Sequence, residues 1–435
     1  MKKNLVYVYG VNLVNGLAGI AFIPLAIKSL GAEGYGIYSI FVILSSYIYF
    51  IEMGVAKYFT RTIAQTVNSE EQSIIMQVAV GIYIRIAILL LLITPVLFFV
   101  IPNFIFPTNN DFLVSIIVIL VSLDYLLSIP TTILLTFNIG KEKFGNVSKY
   151  NLFSGLSKHL FLIATVVLTH SILLLISVIL LRRIFDIIYA RKILVQLPAG
   201  SWKPKYSKGE FKKIISESIL LSAAQLTQVT ILALGTFLVN KNFTMREVGI
   251  YKSVFDLATK VWFFSNSLGM VIFPRFSAML KNEKEKSYLL SRIPYYNKVS
   301  WLIYNSLFVT VFLVLKYVPN FLMIQDMDLF FFLLYGVCLN AHTNLSYEFL
   351  QAASKLKEVI LTSCATIVCM VIFFYLYLES YQFYTIGIAW VISQFINSFV
   401  MDSFVLKELN ILKTITTLSI NMIVSVFLYC ILFVF

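Results

Sequence analysis

The sequence predicts an all-α polytopic membrane protein. It is expected to form two six-helix lobes related by a pseudo-two-fold axis along the membrane normal, plus an additional transmembrane helix at the C-terminal end. Three observations carry this expectation. The 435 residues are 59% hydrophobic, with a mean hydropathy of +0.87, which is more apolar surface than a water-soluble chain of this length carries. Apolar runs of about 20 residues, the length needed to cross the hydrocarbon, recur from end to end. The tripeptide Gly36-Ile37-Tyr38 returns as Gly249-Ile250-Tyr251, 213 positions on, about half the chain.

The runs place spans at 5–29, 36–59, 78–101, 112–137, 150–169, 171–190, 217–240, 250–276, 298–318, 329–352, 358–378, 383–406 and 414–435. The first is too long for a signal peptide, lacks a small-residue cleavage site and is followed by further spans, so it is read as a helix. The fifth and sixth nearly fuse at Thr169-His170. Cys338, Cys364, Cys369 and Cys430 all fall inside apolar runs without metal-like partners, and are read as small packing residues.

Charge sets the orientation. With the N-terminus inside, 23 Lys and Arg fall in inside loops, 3 in outside loops and 8 within spans. The positive-inside rule therefore puts the N-terminus in the cytoplasm, and it assigns the net charge of +13 to cytoplasmic loops rather than to nucleic-acid binding. The most basic stretch, residues 191–213, contains Pro198, Gly200 and Pro204. It reads as a cytoplasmic linker, its charges serving orientation and solubility or touching anionic lipid headgroups. The expected organisation is an N-terminal lobe 1–190, the linker 191–213, a C-terminal lobe 214–410 and the extra helix 411–435.

In this topology both GIY motifs sit in outside loops, and both lead into helices that end inside near an arginine, Arg61 and Arg275. The halves are therefore expected to be parallel repeats, an arrangement used by transporters that work by alternating access. The stretches "FIPLAIKSLGAEGYGIYSIF", "EMGVAKYFTRTIAQ" and "VGIYKSVFDLATKVWFFSNSLGMVIFPRFS" carry a more specific likeness. They resemble the polysaccharide (O-antigen, Wzx-type) flippases of the multidrug/oligosaccharidyl-lipid/polysaccharide exporter superfamily. The likeness runs from residue 1 to about 410. The family's acidic residue, glycine and arginine near the end of span 2 match Glu52, Gly54 and Arg61, and its span 8 terminus matches Phe273-Pro274-Arg275. A thirteenth span departs from the usual twelve. The resemblance implies a flippase in the bacterial cytoplasmic membrane that moves an undecaprenyl-pyrophosphate-linked oligosaccharide from the inner to the outer leaflet. It implies membrane lipids as surroundings and no cofactor or metal. A polysaccharide polymerase is the candidate partner, and a monomer the candidate state.

Charges inside a membrane are costly and are functional candidates by default. Lys28, Lys57 and Lys252 lie near helix ends, where they can snorkel. Arg182 and Asp186, and likewise Asp256 and Lys260, have the i,i+4 spacing of an intrahelical pair. Glu348 and Asp402 lie toward inner ends, where solvation is expected. Arg85, Lys158 and Asp124 lack an opposite charge on their own helices. Two readings stand for them: an Arg85–Asp124 pair that glues helices, or a basic cavity wall for pyrophosphate, which arginine grips bidentately. The candidate substrate ligands are Arg85, Lys158, Lys260, Lys57 and Arg182, placed around a cavity between the lobes. The candidate ion-coupling acids are Asp124 and Glu52, and His159 and His342 are further titratable groups. Asn12, Asn15, Gln225, Gln228 and Asn340, with His342 and Asn344, are candidates for sugar contacts or for helix–helix glue.

The alternative is a multidrug/cation antiporter of the same superfamily, which predicts an acid-dominated cavity. Here lone bases slightly outnumber lone acids. A membrane enzyme is disfavoured, because the outside loops are short and no nucleophile–base pair, metal cluster or phosphate loop appears. The topology is directly testable. A reporter fused after Lys208 is expected to read cytoplasmic and one placed in 107–110 external; the opposite pattern would reverse the orientation.

Overall fold

The computed structural model describes residues 2–106, 111–205, 208–280, 283–317, 324–353 and 355–406; the expected thirteenth span lies outside the described residues. These residues are mostly helical, with no strand among them. The order is α1 (Lys2–Gln65), α2 (Ser69–Val100), α3 (Asp111–Gly140), α4 (Phe144–Thr169), α5 (Ile172–Ile193) and α6 (Lys208–Asn242), then α7 (Met245–Ala258), α8 (Trp262–Met279), α9 (Glu283–Tyr317), α10 (Met327–Ala352), α11 (Leu356–Tyr381) and α12 (Thr385–Leu406). The first twelve expected spans all fall on these helices. The first two share α1, and the eighth crosses α7, a 3₁₀ turn at Thr259–Val261 and α8.

Eight helical stretches among the described residues are long and apolar enough to cross a membrane. Two of them, Leu13–Ala64 and Leu356–Val405, are 52 and 50 residues long. At 1.5 Å per residue, about 20 residues cover the hydrocarbon, so each such stretch holds two passes. α5 is absent from the eight: Arg182, Arg183 and Asp186 make it too polar to qualify by composition.

Local chemistry explains the breaks. α1 turns at Gly31, where φ is 74° and ψ 171°, a conformation that glycine adopts at least cost. Pro130 lies inside α3 and cannot donate to the Leu126 carbonyl. On either side, Ser128 and Thr131 hydroxyls donate to the Tyr125 and Ser128 carbonyls at 2.6 and 2.7 Å. α2 contains Pro95 and runs into a π-helical turn at Ile101–Ile105. Next to that proline, the Thr94 hydroxyl donates to the Leu90 carbonyl at 2.7 Å and meets the α3 Ser122 hydroxyl at 2.9 Å.

The chain groups into two packed units, Met1–Ser253 and Val254–Phe435. In the first, α1 packs against α3, α4 and α6, and α3 also packs against α2 and α5. In the second, α10 is central, packed against α8, α9 and α12. Packing thus places 214–253 with the first unit rather than with the expected lobe 214–410.

The basic stretch after α5 is fastened to the first unit as far as it is described. Asn138 of α3 donates to the Val195 carbonyl and accepts from its N–H, both at 2.9 Å. The Ser73 hydroxyl of α2 donates to the Ala199 carbonyl at 3.1 Å, and Lys205 N–H donates to the Gln77 carbonyl at 3.1 Å. Gly200 makes the turn between these anchors with φ 82°.

The two GIY motifs meet. A Cβ on Gly36 would lie 2.8 Å from the Met245 carbonyl oxygen and 3.2 Å from the Gly249 nitrogen, and a Cβ on Gly249 would overlap the Ala32 carbonyl. α1 and α7 therefore approach backbone to backbone, which only glycine permits. Tyr38 and Tyr251 are both buried beside this contact. Gly249→Ala is expected to destabilise the protein by about 1–3 kcal/mol, as overpacking does. Gly10→Ala, where a Cβ meets nothing within 4 Å, is expected to be neutral. Thermal unfolding of the purified variants measures the difference.

Candidate functional site

The first unit holds a ladder of buried polar side chains where α1, α3, α4 and α5 meet. Its centre is a two-pronged ion pair. Arg183 Nε donates to Asp124 Oδ1 at 2.6 Å, and Arg183 Nη2 donates to Asp124 Oδ2 at 2.8 Å. The Tyr49 hydroxyl of α1 donates to the same Oδ2 at 2.9 Å and accepts from Arg183 Nη2. The Tyr49 ring lies 5.6 Å from the guanidinium carbon and packs edge-on against Tyr125. One rung away, Arg182 Nη1 reaches Asp186 Oδ2 at 2.9 Å and donates to the Ser154 carbonyl and hydroxyl at 2.9 and 3.0 Å. Arg183 Nη1 stands 3.7 Å from Asp186 and ties the rungs together. These two arginines and two aspartates balance in charge. The Arg183 side chain keeps 16% exposure, while Asp124 and Asp186 keep 3% and 0%.

Next to this ladder, Glu52 of α1 is 4% exposed. Tyr83 of α2 and Tyr125 and Thr132 of α3 surround its carboxyl. In the second unit, α10 and α12 are joined by a separate buried set. Asp402 accepts from Ser346 at 2.6 Å and lies 3.0 Å from His342 Nε2. Asn340 donates to Gln394 at 2.8 Å, and Asn397 donates to the same oxygen at 3.4 Å.

Several expectations change here. The base that grips Asp124 with both prongs is Arg183 of α5. The Arg182–Asp186 pair forms as the i,i+4 spacing suggests, but it buries Arg182 within the helix packing instead of offering it to a ligand. Asp402 is 1% exposed rather than solvated, and Lys252 is 8% exposed rather than extended to a surface. Asn340 acts between helices through Gln394.

The other candidates are placed as follows. Arg85 on α2 and Lys158 on α4 are both partly exposed, and each engages other groups. Lys260 belongs to the second unit and lies 6.0 Å from the Phe263 ring centroid. Gln225 and Gln228 lie on α6, the first of them buried. Asn15 donates to the Asn151 carbonyl at 3.3 Å, linking α1 to α4. His159 of α4 meets its own helix at the Gly155 carbonyl, 2.8 Å away. The side chains of Asn12, Lys57, Arg61 and Arg275 lie outside the described residues.

A helical bundle with ionic rungs inside its apolar packing defines a membrane protein with a polar interior. Comparison with solved structures gives the fold. A lipid II flippase, MurJ, in an inward closed conformation superposes with a TM-score of 0.71 over 98% of this chain and 92% of that one, at 13% identity. A Vibrio cholerae MATE transporter, VcmN, in a mutant form, gives 0.62 over 94% and 96%, at 14% identity. An inward-facing multidrug resistance MATE transporter of the MOP superfamily gives 0.59 over 99% and 96%, at 11% identity. At these identities the likeness is one of fold. The family profile described as "Polysaccharide biosynthesis protein" matches residues 1–280, and the chain belongs to that family. Curated protein sequences give no match.

The central pair yields a prediction. Arg183→Ala strands Asp124 in the packing, and such a loss is expected to destabilise by about 3–5 kcal/mol. Asp124→Asn strands the arginine with similar effect. The double variant Asp124→Asn/Arg183→Gln is expected to be more stable than either single change, since no lone charge remains. Thermal unfolding of the three purified variants measures the coupling.

Proposed function

We propose that this protein is a flippase. It carries a polyprenyl-pyrophosphate-linked oligosaccharide, a unit of a surface polysaccharide such as O-antigen or capsule, from the inner to the outer leaflet of the cytoplasmic membrane by alternating access. The observation that carries this reading is the family match over residues 1–280, a polysaccharide biosynthesis family on a fold shared with a lipid II flippase. The chemistry of the interior supports it. A pyrophosphate cannot shed its water in a low-dielectric interior without fixed cations to replace it. Arg85 and Lys158 are cations inside spans that retain exposure, and Arg183 keeps one partly open side beside its aspartate.

In this reading Arg85 and Lys158 attract the phosphates. Arg183 is held by Asp124 until an anion competes for the guanidinium, because carboxylate and phosphate both fit its fork. The N-terminus lies in the cytoplasm, so that α2 and α4 both rise from the leaflet where the substrate is made. Lys260 ranks third, because the i,i+4 spacing offers it Asp256 as a partner.

The test is complementation of a flippase-deficient strain, with protein quantified in the membrane fraction. Arg85→Ala is expected to abolish glycan export at near-normal protein levels, and Arg85→Lys to retain part of it, since charge survives and bidentate geometry does not. Full export in both Arg85→Ala and Lys158→Ala overturns this assignment of ligands. Failure of the native chain to restore export, with gain of resistance to cationic drugs, favours the antiporter instead.

A further inference from the structure

We infer that the loop after α5, residues 194–205, forms with the neighbouring helix ends a docking surface for the headgroups of anionic phospholipids, with Trp202 seated among them. The inference does not depend on what the protein carries.

The loop is built rather than slack. Leu194 is buried among Leu134, Val147, Tyr150 and Ala190. Asn138 of α3, itself buried, holds both backbone groups of Val195. Gln196 Nε2 donates back to the Arg191 and Leu194 carbonyls at 2.7 and 3.1 Å. The Ser73 hydroxyl of α2 holds the Ala199 carbonyl, and the buried Ser201 hydroxyl donates to Ser73 at 3.1 Å. The Gln77 side chain donates to the Gly200 carbonyl at 3.3 Å, and the Gln77 carbonyl accepts from Lys205 N–H at 3.1 Å. Ordering an irregular segment costs backbone entropy at every residue. Yet between the anchors at Ser201 and Lys205 the loop holds out Trp202, which is 46% exposed.

Charge and height name the occupant. Lys203 and Lys205 flank Trp202 and are exposed. Arg191 and Lys192 close α5, and Lys141 and Lys143 lie in the turn just past Asn138. The stretches 141–143 and 191–205 thus carry six bases against one acid, Glu142. Glu70 and Glu71 in the first turn of α2 offset part of this, and the excess stays positive. Gln77, which anchors the loop, directly precedes the span at 78–101, so the loop lies where hydrocarbon gives way to headgroups. An indole at that level buries its apolar body and keeps its N–H in the polar layer. Basic side chains beside it draw anionic lipid. A soluble acidic partner would be met beyond this layer, not within it.

The experiment uses the full chain in phosphatidylcholine nanodiscs. These are doped, at equal mole fraction, with phosphatidylglycerol or phosphatidylcholine spin-labelled near the top of the acyl chain, which quenches tryptophan fluorescence. The chain has four tryptophans, so the Trp202 signal is the difference between the native chain and Trp202→Phe. At low salt, labelled phosphatidylglycerol is expected to quench Trp202 about twofold more strongly than labelled phosphatidylcholine, or better, and the ratio to fall toward one in high salt. Lys203→Gln/Lys205→Gln, read with and without Trp202→Phe, keeps the Lys205 backbone anchor. It is expected to lower the ratio while Trp202 stays quenched. A Trp202 that neither lipid quenches lies in water and overturns the inference. So does an equal response to the two lipids, or a ratio unchanged by loss of both lysines. Loss of the preference on adding inorganic pyrophosphate, too dilute to screen charge, assigns the surface to free phosphate compounds and equally overturns it.

Discussion

The grip of Arg183 on Asp124 is the constraint on which the first unit depends. A guanidinium and a carboxylate at bilayer depth are each ruinous alone, and each is tolerable only with the other in place. Both prongs are short, at 2.6 and 2.8 Å, so α3 and α5 are fixed in register as well as in distance. Tyr49 extends the same grip to α1, and Arg182 extends it to α4 through Ser154. Four helices thereby share one polar system, and the apolar packing around it has to fit that geometry. The edge of Arg183 that stays open is where this balance can be disturbed from outside.

The second unit joins two of its helices with a different set of groups. Amides and a histidine–aspartate pair join α10 to α12. Such bonds between helices are individually modest, on the order of 1 kcal/mol. Their number makes the interface specific, because each requires the other helix at one rotation and one height. The groups described between the helices thus differ: arginine–aspartate rungs in the first unit, amides and a histidine–aspartate contact between α10 and α12 in the second.

Much of the fold was legible in the sequence, and the site was legible only in part. Helix existence follows from runs of about 20 apolar residues, a local property, and twelve of the thirteen expected spans correspond to described helices. The kink at Gly31 left no periodic signal, and α1 hides two spans in one element. Local spacing also exposed the Arg182–Asp186 pair, four residues apart on one helix face. Arg183 and Asp124 are 59 residues apart on different helices, and no spacing rule reaches that far. Elimination could have found the pair: Asp124 required a base, and once Arg182 takes Asp186, Arg183 is the spare cation on the same helix. The burial of Asp402 was invisible for the same reason, since its partner His342 lies 60 residues away. The two Gly-Ile-Tyr copies lie within α1 and α7 rather than in loops, and they meet where there is no space for a side chain.

The polarity of α5 bears on how the chain is made. A segment carrying Arg182, Arg183 and Asp186 enters lipid poorly, since a charged residue at mid-helix adds about 2.5–3.5 kcal/mol to insertion. Its stabilising partners, Asp124 on α3 and Ser154 on α4, both precede it in the chain. They are therefore synthesised first and are in the membrane when α5 leaves the ribosome. A helix too polar to insert readily by itself arrives last among its partners, into a bundle already prepared to neutralise it. Reversing that order, by circular permutation for instance, would ask α5 to enter bare lipid.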